Sequence, residues 1–119
     1  MTAVLEIDIQ ASFRKRLYYA CPEAFAVAIP NAARRTRWEA GRAKKEGMAA
    51  GVPDMVVIAP GGLVAWIEFK TAKGNLSAAQ HEWILRLEDY GFPVAVCRSA
   101  DAAMDFLRGH GFPIRERAA

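Results

Sequence analysis

The chain has 119 residues, of which 53% are hydrophobic and 24% charged, and its formal net charge at pH 7 is +3. This length and composition predict one globular domain over residues 1–119 and exclude an extended disordered protein. No apolar run approaches the ~20 residues of a membrane span, and the opening MTAVLEIDIQ lacks the basic and apolar parts of a secretory signal. We therefore expect a cytoplasmic domain, with its two cysteines reduced.

A helix followed by a strand is predicted for the first 30 residues. Within residues 2–19, apolar residues recur every fourth position, as on the buried side of an amphipathic helix. These residues are Leu5, Ile9, Phe13 and Leu17. The segment AFAVAI at 24–29 then reads as a short strand, because Pro30 and Asn31 stop it.

Basic residues are concentrated in the next segment. RRTRWEAGRAKK, at 34–45, contains six basic residues and one acid, and a second basic cluster occupies 14–16. One such run is usually a solvated surface, but two in a domain with a pI of about 9.1 favour a polyanionic partner. A short helix is predicted over 38–48. Trp38 offers a stacking surface for a base, although we expect it to anchor in the core.

A β-hairpin is predicted from two apolar segments, 54–59 and 63–70, that Pro-Gly-Gly joins. Both segments are apolar on both faces, which favours a sheet covered by helices on each side. Downstream, Ser77 caps a helix that ends at Gly91, and VAVCR forms a strand before a last helix capped by Ser99. The expected fold is α/β, with a mixed central sheet flanked by helices in the order αβ(α)ββαβα.

The length of the hairpin loop decides which charged residues meet. A three-residue loop sets Ala59 against Leu63, and counting outward places Asp54 opposite Glu68, with Lys70 diagonal to it. A two-residue loop would pair Asp54 with Phe69 and separate the charges. We predict the first register.

Two carboxylates about 4 Å apart repel by roughly 4 kcal/mol at an effective dielectric constant near 20, so the pair needs a neutralising partner. A shared proton, an ordinary ion pair with Lys70, or a divalent cation would each serve. The cation explains more of the pattern, because Mg²⁺ prefers oxygen ligands and would leave Lys70 free to act on a phosphate or on water. The arrangement suits hydrolysis of a phosphodiester.

These residues also carry a resemblance to a known family. Pro53-Asp54 followed by Glu68-Phe69-Lys70 resembles the PD-(D/E)XK nuclease motif. The order PD…EFKT…LS..Q..W over residues 47–99 is similar to the VRR-NUC branch of that superfamily, and the N-terminal half matches more loosely. The resemblance implies a restriction-endonuclease-like core and a single VRR-NUC domain that cuts DNA with a divalent metal.

The resemblance also implies roles for individual residues. Asp54, Glu68 and the backbone carbonyl of Phe69 correspond to metal ligands, and Lys70 corresponds to the catalytic lysine. Glu6 resembles an acid that approaches the metal from the first helix, but it also suits a solvated first-turn position. Gln80 resembles a glutamine that supports the site, but it also completes a capping box with Ser77. The expected phosphate contacts are Arg34, Arg35, Arg37 and Lys73.

Small members of this family resemble Holliday-junction resolvases, act as homodimers and occur in phages. We therefore expect Mg²⁺ or Mn²⁺ as cofactor, branched DNA as substrate, a homodimer, and a bacterial or phage-infected cytoplasm. Two other functions stay open: a nucleic-acid-binding domain without turnover, and a hydrolase of small phosphoesters. Metal-dependent cutting separates the first alternative from a nuclease, and the effect of removing the arginines separates the second.

Overall fold

The order of helices and strands is the predicted one. The computed structural model describes residues 4–30 and 37–116. Its helices are α1 (Glu6–Ala20), α2 (Arg37–Lys45), α3 (Ala78–Asp89) and α4 (Ala100–Gly109). Its strands are β1 (Phe25–Ala28), β2 (Met55–Ala59), β3 (Leu63–Phe69) and β4 (Val94–Cys97).

The four strands form one mixed sheet in the order β1-β2-β3-β4. β1, β2 and β3 pair antiparallel, whereas β4 pairs parallel to β3. The parallel pairing follows from the chain path, because the crossover through α3 returns the chain in its original direction. This arrangement confirms the expected α/β fold with a mixed central sheet.

One face of the sheet carries the main core. The repeating apolar residues of α1 pack there together with α4. The largest fully buried apolar side chains are Phe13, Leu17, Met55, Ile67, Phe69, Met104 and Leu107. Leu5 was expected in the buried stripe but is the N-cap residue of α1 and is 56% exposed, since the helix begins only at Glu6.

The opposite face of the sheet is only partly covered. α3 packs against β4 and buries Ile84 and Leu87. Phe25, Val27 and Ile58, at the other end of the sheet, stay 67%, 47% and 43% exposed. α3 therefore covers the second face at β4, whereas the expected cover is missing at these exposed residues of β1 and β2.

α2 stands apart from the core. Its residues whose burial is described are all exposed: Trp38, Glu39, Gly41, Arg42, Lys44 and Lys45. Trp38 is 71% exposed, so the expectation of a core anchor was wrong. Arg34 and Arg35 lie outside the described residues, and Arg37 is described only by its place at the start of the helix.

The two cysteines, Cys21 and Cys97, are free and buried, as expected for reduced thiols. After α4 the chain packs back on the start of the domain: Phe112 is buried, and Arg115 forms a salt bridge with Glu23. None of the helices in the described part of the chain is long and apolar enough to cross a membrane.

Candidate metal centre

The hairpin register brings two acids to the same end of the β2–β3 pair. Ala59 pairs with Leu63 and Met55 with Ile67, which confirms the predicted three-residue loop. Gly61 and Gly62 in that loop have φ angles of 87° and 75°, a conformation that favours glycine. One step beyond the last pair come Asp54 and Glu68, opposite each other.

A third acid joins them from α1. Oxygens of the carboxylates of Glu6, Asp54 and Glu68 all lie within 4.8 Å of one another. Glu6 is the first residue of α1 and is half-buried, so the helix directs it to the sheet rather than leaving it fully solvated. The Asp54 carboxylate is held by the backbone N–H of Phe69, which donates to Oδ2 at 2.8 Å. The fold thus gathers three carboxylates from three separate elements.

Among the described residues, Glu68 is the charged residue that is buried, with 1% of its surface exposed. Its Oε2 accepts a hydrogen bond from Gln80 Nε2 at 3.3 Å, whereas its Oε1 is buried without a partner. Burial raises the pKa of Glu68 to about 8, and the neighbouring Asp54 carboxylate raises it further, while the charge of Lys70 opposes the rise. Without a cation, Glu68 therefore keeps its proton at neutral pH, which is the shared-proton solution to the repulsion.

The donor set fits a hard divalent cation. A buried carboxylate oxygen without a partner costs free energy that a ligand would recover. Two further carboxylates lie within reach, and oxygen is the ligand atom that such cations prefer. The N–H and C=O of a strand residue point to the same neighbouring strand. Because the Phe69 N–H points to Asp54, the Phe69 carbonyl is directed to the same side.

Lys70 follows β3 directly, and its backbone N–H donates to the Cys97 carbonyl at 3.1 Å. The main chain is therefore fixed at this position. The side chain is half-buried and forms no salt bridge with any residue in ranges 4–30 and 37–116. The ordinary ion pair between Lys70 and Glu68 is thus not formed, and the ammonium group is available to another partner.

Gln80 combines the two roles that the sequence left open. Its Oε1 accepts from the Ser77 N–H at 2.9 Å and its own N–H donates to Ser77 Oγ at 3.1 Å, which completes the capping box of α3. Its Nε2 remains for Glu68. Capping fixes the orientation of the amide, so the same side chain presents its donor to the buried acid.

Two residues that the sequence analysis did not single out hold the surrounding loops. Gly51 has φ +86°, and a Cβ there would lie 2.5 Å from the backbone of Ala79, so only glycine lets the segment before Asp54 pack against α3. Arg98 donates to the carbonyls of Thr71 and Gly74, both at 2.7 Å, and so ties down the loop after Lys70. The role of Arg98 follows from the parallel pairing of β3 with β4, because this pairing places the residues after the two strands side by side.

Lys73, an expected phosphate contact, is exposed in that same loop. Arg98 therefore fixes the backbone on which Lys73 stands, a short distance along the chain from Lys70. The Lys73 side chain is therefore in solvent, three residues beyond Lys70, which follows β3.

Comparison with known proteins gives a consistent result. The family model of the VRR-NUC domain matches residues 8–101. A solved structure described as a VRR_NUC domain protein superposes with a TM-score of 0.74 at 20% identity, covering 97% of this chain and 94% of its own. A second, described as a VRR_NUC domain, gives a TM-score of 0.62 at 20% identity, covering 90% and 97%. No curated protein matches the chain.

The raised pKa of Glu68 predicts how the stability of the metal-free protein depends on pH. Between pH 4.5 and about 8 the folded protein keeps a proton that the unfolded chain releases, so the free energy of unfolding falls as the pH rises. Glu68→Gln removes this titration. In EDTA at pH 8, the variant should unfold roughly 3 °C or more above the wild type, the change that about 1 kcal/mol produces in a domain of this size.

Thermal unfolding followed by circular dichroism at pH 4.5, 6 and 8 measures the effect. Glu82→Gln, an exposed position on α3, is the matched control and should follow the wild type at each pH. If the unfolding temperatures of the wild type and Glu68→Gln changed with pH in the same way, the buried carboxylate would already be ionised in the folded state.

Proposed function

Because the chain belongs to the VRR-NUC domain family, a family of nuclease domains, we propose that it is a divalent-metal-dependent DNA endonuclease. One observation carries the proposal: the buried Glu68 carboxylate has an oxygen without a partner and lies with two other carboxylates in one cluster. Most buried polar side-chain atoms in proteins have a hydrogen-bond partner, so an unpartnered oxygen needs an explanation. A cation-binding acid leaves a lone pair unused until the ion arrives.

Asp54 and Glu68 are the proposed direct ligands, with the Phe69 carbonyl beside them and Glu6 completing the acidic shell. A bound Mg²⁺ or Mn²⁺ supplies charge stabilisation at the phosphoryl oxygens and makes a water molecule nucleophilic at neutral pH. The protein's own contribution is to hold the acids before the ion binds. The N–H of Phe69 fixes Asp54, and burial prevents Glu68 from turning away.

Lys70 is the proposed catalytic lysine. Its ammonium group forms no salt bridge in the described structure, and its main chain is anchored to β4. A positive charge fixed there can orient the attacking water and offset the negative charge that develops on the phosphoryl oxygens. Gln80 is a positioning residue, since it reaches the ligand Glu68 and not the substrate.

We propose branched DNA as the substrate and a homodimer as the active form, following the family resemblance. The apolar residues exposed on β1 and β2, namely Phe25, Val27 and Ile58, offer a surface for a second copy. Two copies would supply two cleavage sites for opposite strands of a junction. Arg34, Arg35, Arg37 and Lys73 would contact phosphates, which position nucleic acid without reading its sequence.

Cleavage assays test the catalytic proposal. A labelled four-way junction, a flap and a linear duplex are incubated with Mg²⁺, Mn²⁺ or EDTA. The wild type should cut the branched substrates with either metal and nothing in EDTA. Glu68→Ala and Lys70→Met should each lower the rate at least about 10³-fold, because the first removes a proposed metal ligand and the second removes a positive charge that stabilises the transition state by several kcal/mol.

Glu82→Ala is the control for replacing a surface acid on α3 and should cut like the wild type. Symmetric cuts confined to the junction would identify a resolvase, whereas flap cleavage alone would point to another branched substrate. Binding of all three substrates without cutting in either metal would contradict the nuclease proposal and favour a nucleic-acid-binding domain without turnover.

A pair of variants separates the two roles of Gln80. Ser77→Ala and Gln80→Ala both break the capping box, so each should lower the free energy of unfolding by about 1 kcal/mol. Only Gln80→Ala also removes the hydrogen bond to Glu68, so only this variant should lose about 10- to 100-fold in rate at limiting metal concentration. Urea unfolding and metal-dependent kinetics give the two readouts. Equal rates for the two variants would mean that Gln80 serves the helix alone.

A further inference from the structure

α2 is the most strongly charged element described. Its nine residues, RWEAGRAKK, contain four basic residues and one acid, so its formal net charge of +3 equals that of the whole chain. The other residues therefore sum to neutrality, and the excess positive charge of this protein lies on one exposed helix. Such a helix attracts a polyanion and repels a second copy of itself.

One face of this helix is built around an exposed aromatic ring. Trp38, Gly41, Arg42 and Lys45 are spaced at i, i+3, i+4 and i+7, which places them on the same side of a helix. Together they line a shallow cavity of ≈ 400 Å³. Gly41 adds no side chain to this face, and apart from its chain neighbours and the backbone of its own helix, none of the residues described in 4–30 and 37–116 comes within 4 Å of the place where its Cβ would stand.

The exposed Trp38 ring has a cation–π contact with Arg42. The Arg42 guanidinium lies 5.8 Å from the centroid of the Trp38 ring, and its Nε donates to Glu46 Oε1 at 3.0 Å. Arg42 thus covers part of the ring from one side while Glu46 fixes Arg42. With 71% of Trp38 exposed, most of the ring's apolar surface remains open to solvent beside the Arg42 guanidinium.

We propose that this face of α2 is a stacking site for an unpaired base of the nucleic acid substrate, with Arg42 and Lys45 contacting the flanking phosphates. A base in continuous duplex already has both of its faces stacked, whereas a base at a flap or junction has a free face. The site would therefore contribute to recognition of branched over linear DNA. This inference rests on the proposed function, since it assigns one source of that nuclease's substrate preference.

The distance to the acidic cluster is compatible with one DNA molecule touching both sites. Lys45 and Asp54 are nine positions apart in the sequence, so their Cα atoms are at most about 32 Å apart, less than one helical turn of DNA. The connecting segment is also anchored, because Gly51 packs against Ala79 at the start of α3. The helix is therefore tethered near the cleavage site rather than carried on a long linker.

Binding measured by fluorescence anisotropy in EDTA tests the proposal without cleavage. The probes are a duplex with a short single-stranded flap, the same flap with abasic sites, and a fully paired duplex. Trp38→Leu should weaken binding to the flap about 5- to 150-fold, the range for loss of one stacked base, and should leave the duplex nearly unaffected. Trp38→Phe should keep most of the affinity.

The abasic flap supplies the decisive comparison. It retains the phosphates but removes the bases, so the wild type should bind it no better than Trp38→Leu does. Tyr18→Leu, which removes another exposed aromatic from a helix, is the matched control and should bind like the wild type. Because both rings are largely exposed, neither substitution should change the unfolding temperature appreciably.

Three results would overturn the inference. Trp38→Leu could bind the flap with the affinity of the wild type, or its affinity could fall by the same factor for all three probes. It could also be a monomer in sedimentation velocity where the wild type is a dimer. The last result would assign Trp38 to an interface between copies. If the wild type still cuts branched DNA in Mg²⁺, the stacking site alone has failed; if it neither binds nor cuts, the proposed function has failed with it.

Discussion

The burial of one carboxylate organises this protein. Glu68 is 1% exposed, close to Asp54 and Glu6, and one of its oxygens has no hydrogen-bond partner. Two unit negative charges about 5 Å apart repel by roughly 3 kcal/mol at an effective dielectric constant near 20. Burial, together with this repulsion, raises the pKa of Glu68 to about 8. A proton on Glu68 removes one of the three negative charges in the absence of metal, and a divalent cation would offset the charges at the same oxygens.

Each surrounding element fixes one part of that arrangement. The three-residue hairpin loop sets the register that opposes Asp54 to Glu68. The capping box at the start of α3 directs the Gln80 amide to Glu68. Gly51 lets the segment before Asp54 pack against the same helix end. Stability and site geometry are therefore linked, because local features that begin helices and turn strands also orient the acids.

Much of this organisation could be predicted from the sequence because its causes are local. Alternation along the strands placed Asp54 opposite Glu68 once Pro-Gly-Gly was taken as a three-residue loop, and a two-residue loop stayed possible until the register was known. The convergence of Glu6 on the pair depended on packing of α1 against the sheet, which only the family resemblance suggested. The exposure of Trp38 could not be predicted, because a tryptophan in a short helix is compatible with either the core or the surface. The partly open second face of the sheet was missed for a similar reason: apolar residues such as Phe25 and Ile58 suit a covered strand and an interface equally well.

Anomalous scattering from crystals soaked in Mn²⁺ would show whether the three carboxylates form a divalent-cation site. We expect one strong peak at ~2.0–2.6 Å from oxygens of both Asp54 and Glu68, the range of divalent-cation distances to oxygen ligands. The Oε1 atom of Glu68 should lie among its ligands. Full Mn²⁺ occupancy elsewhere on the protein with none between these carboxylates would contradict the account, and Glu68 would then be a protonated structural acid.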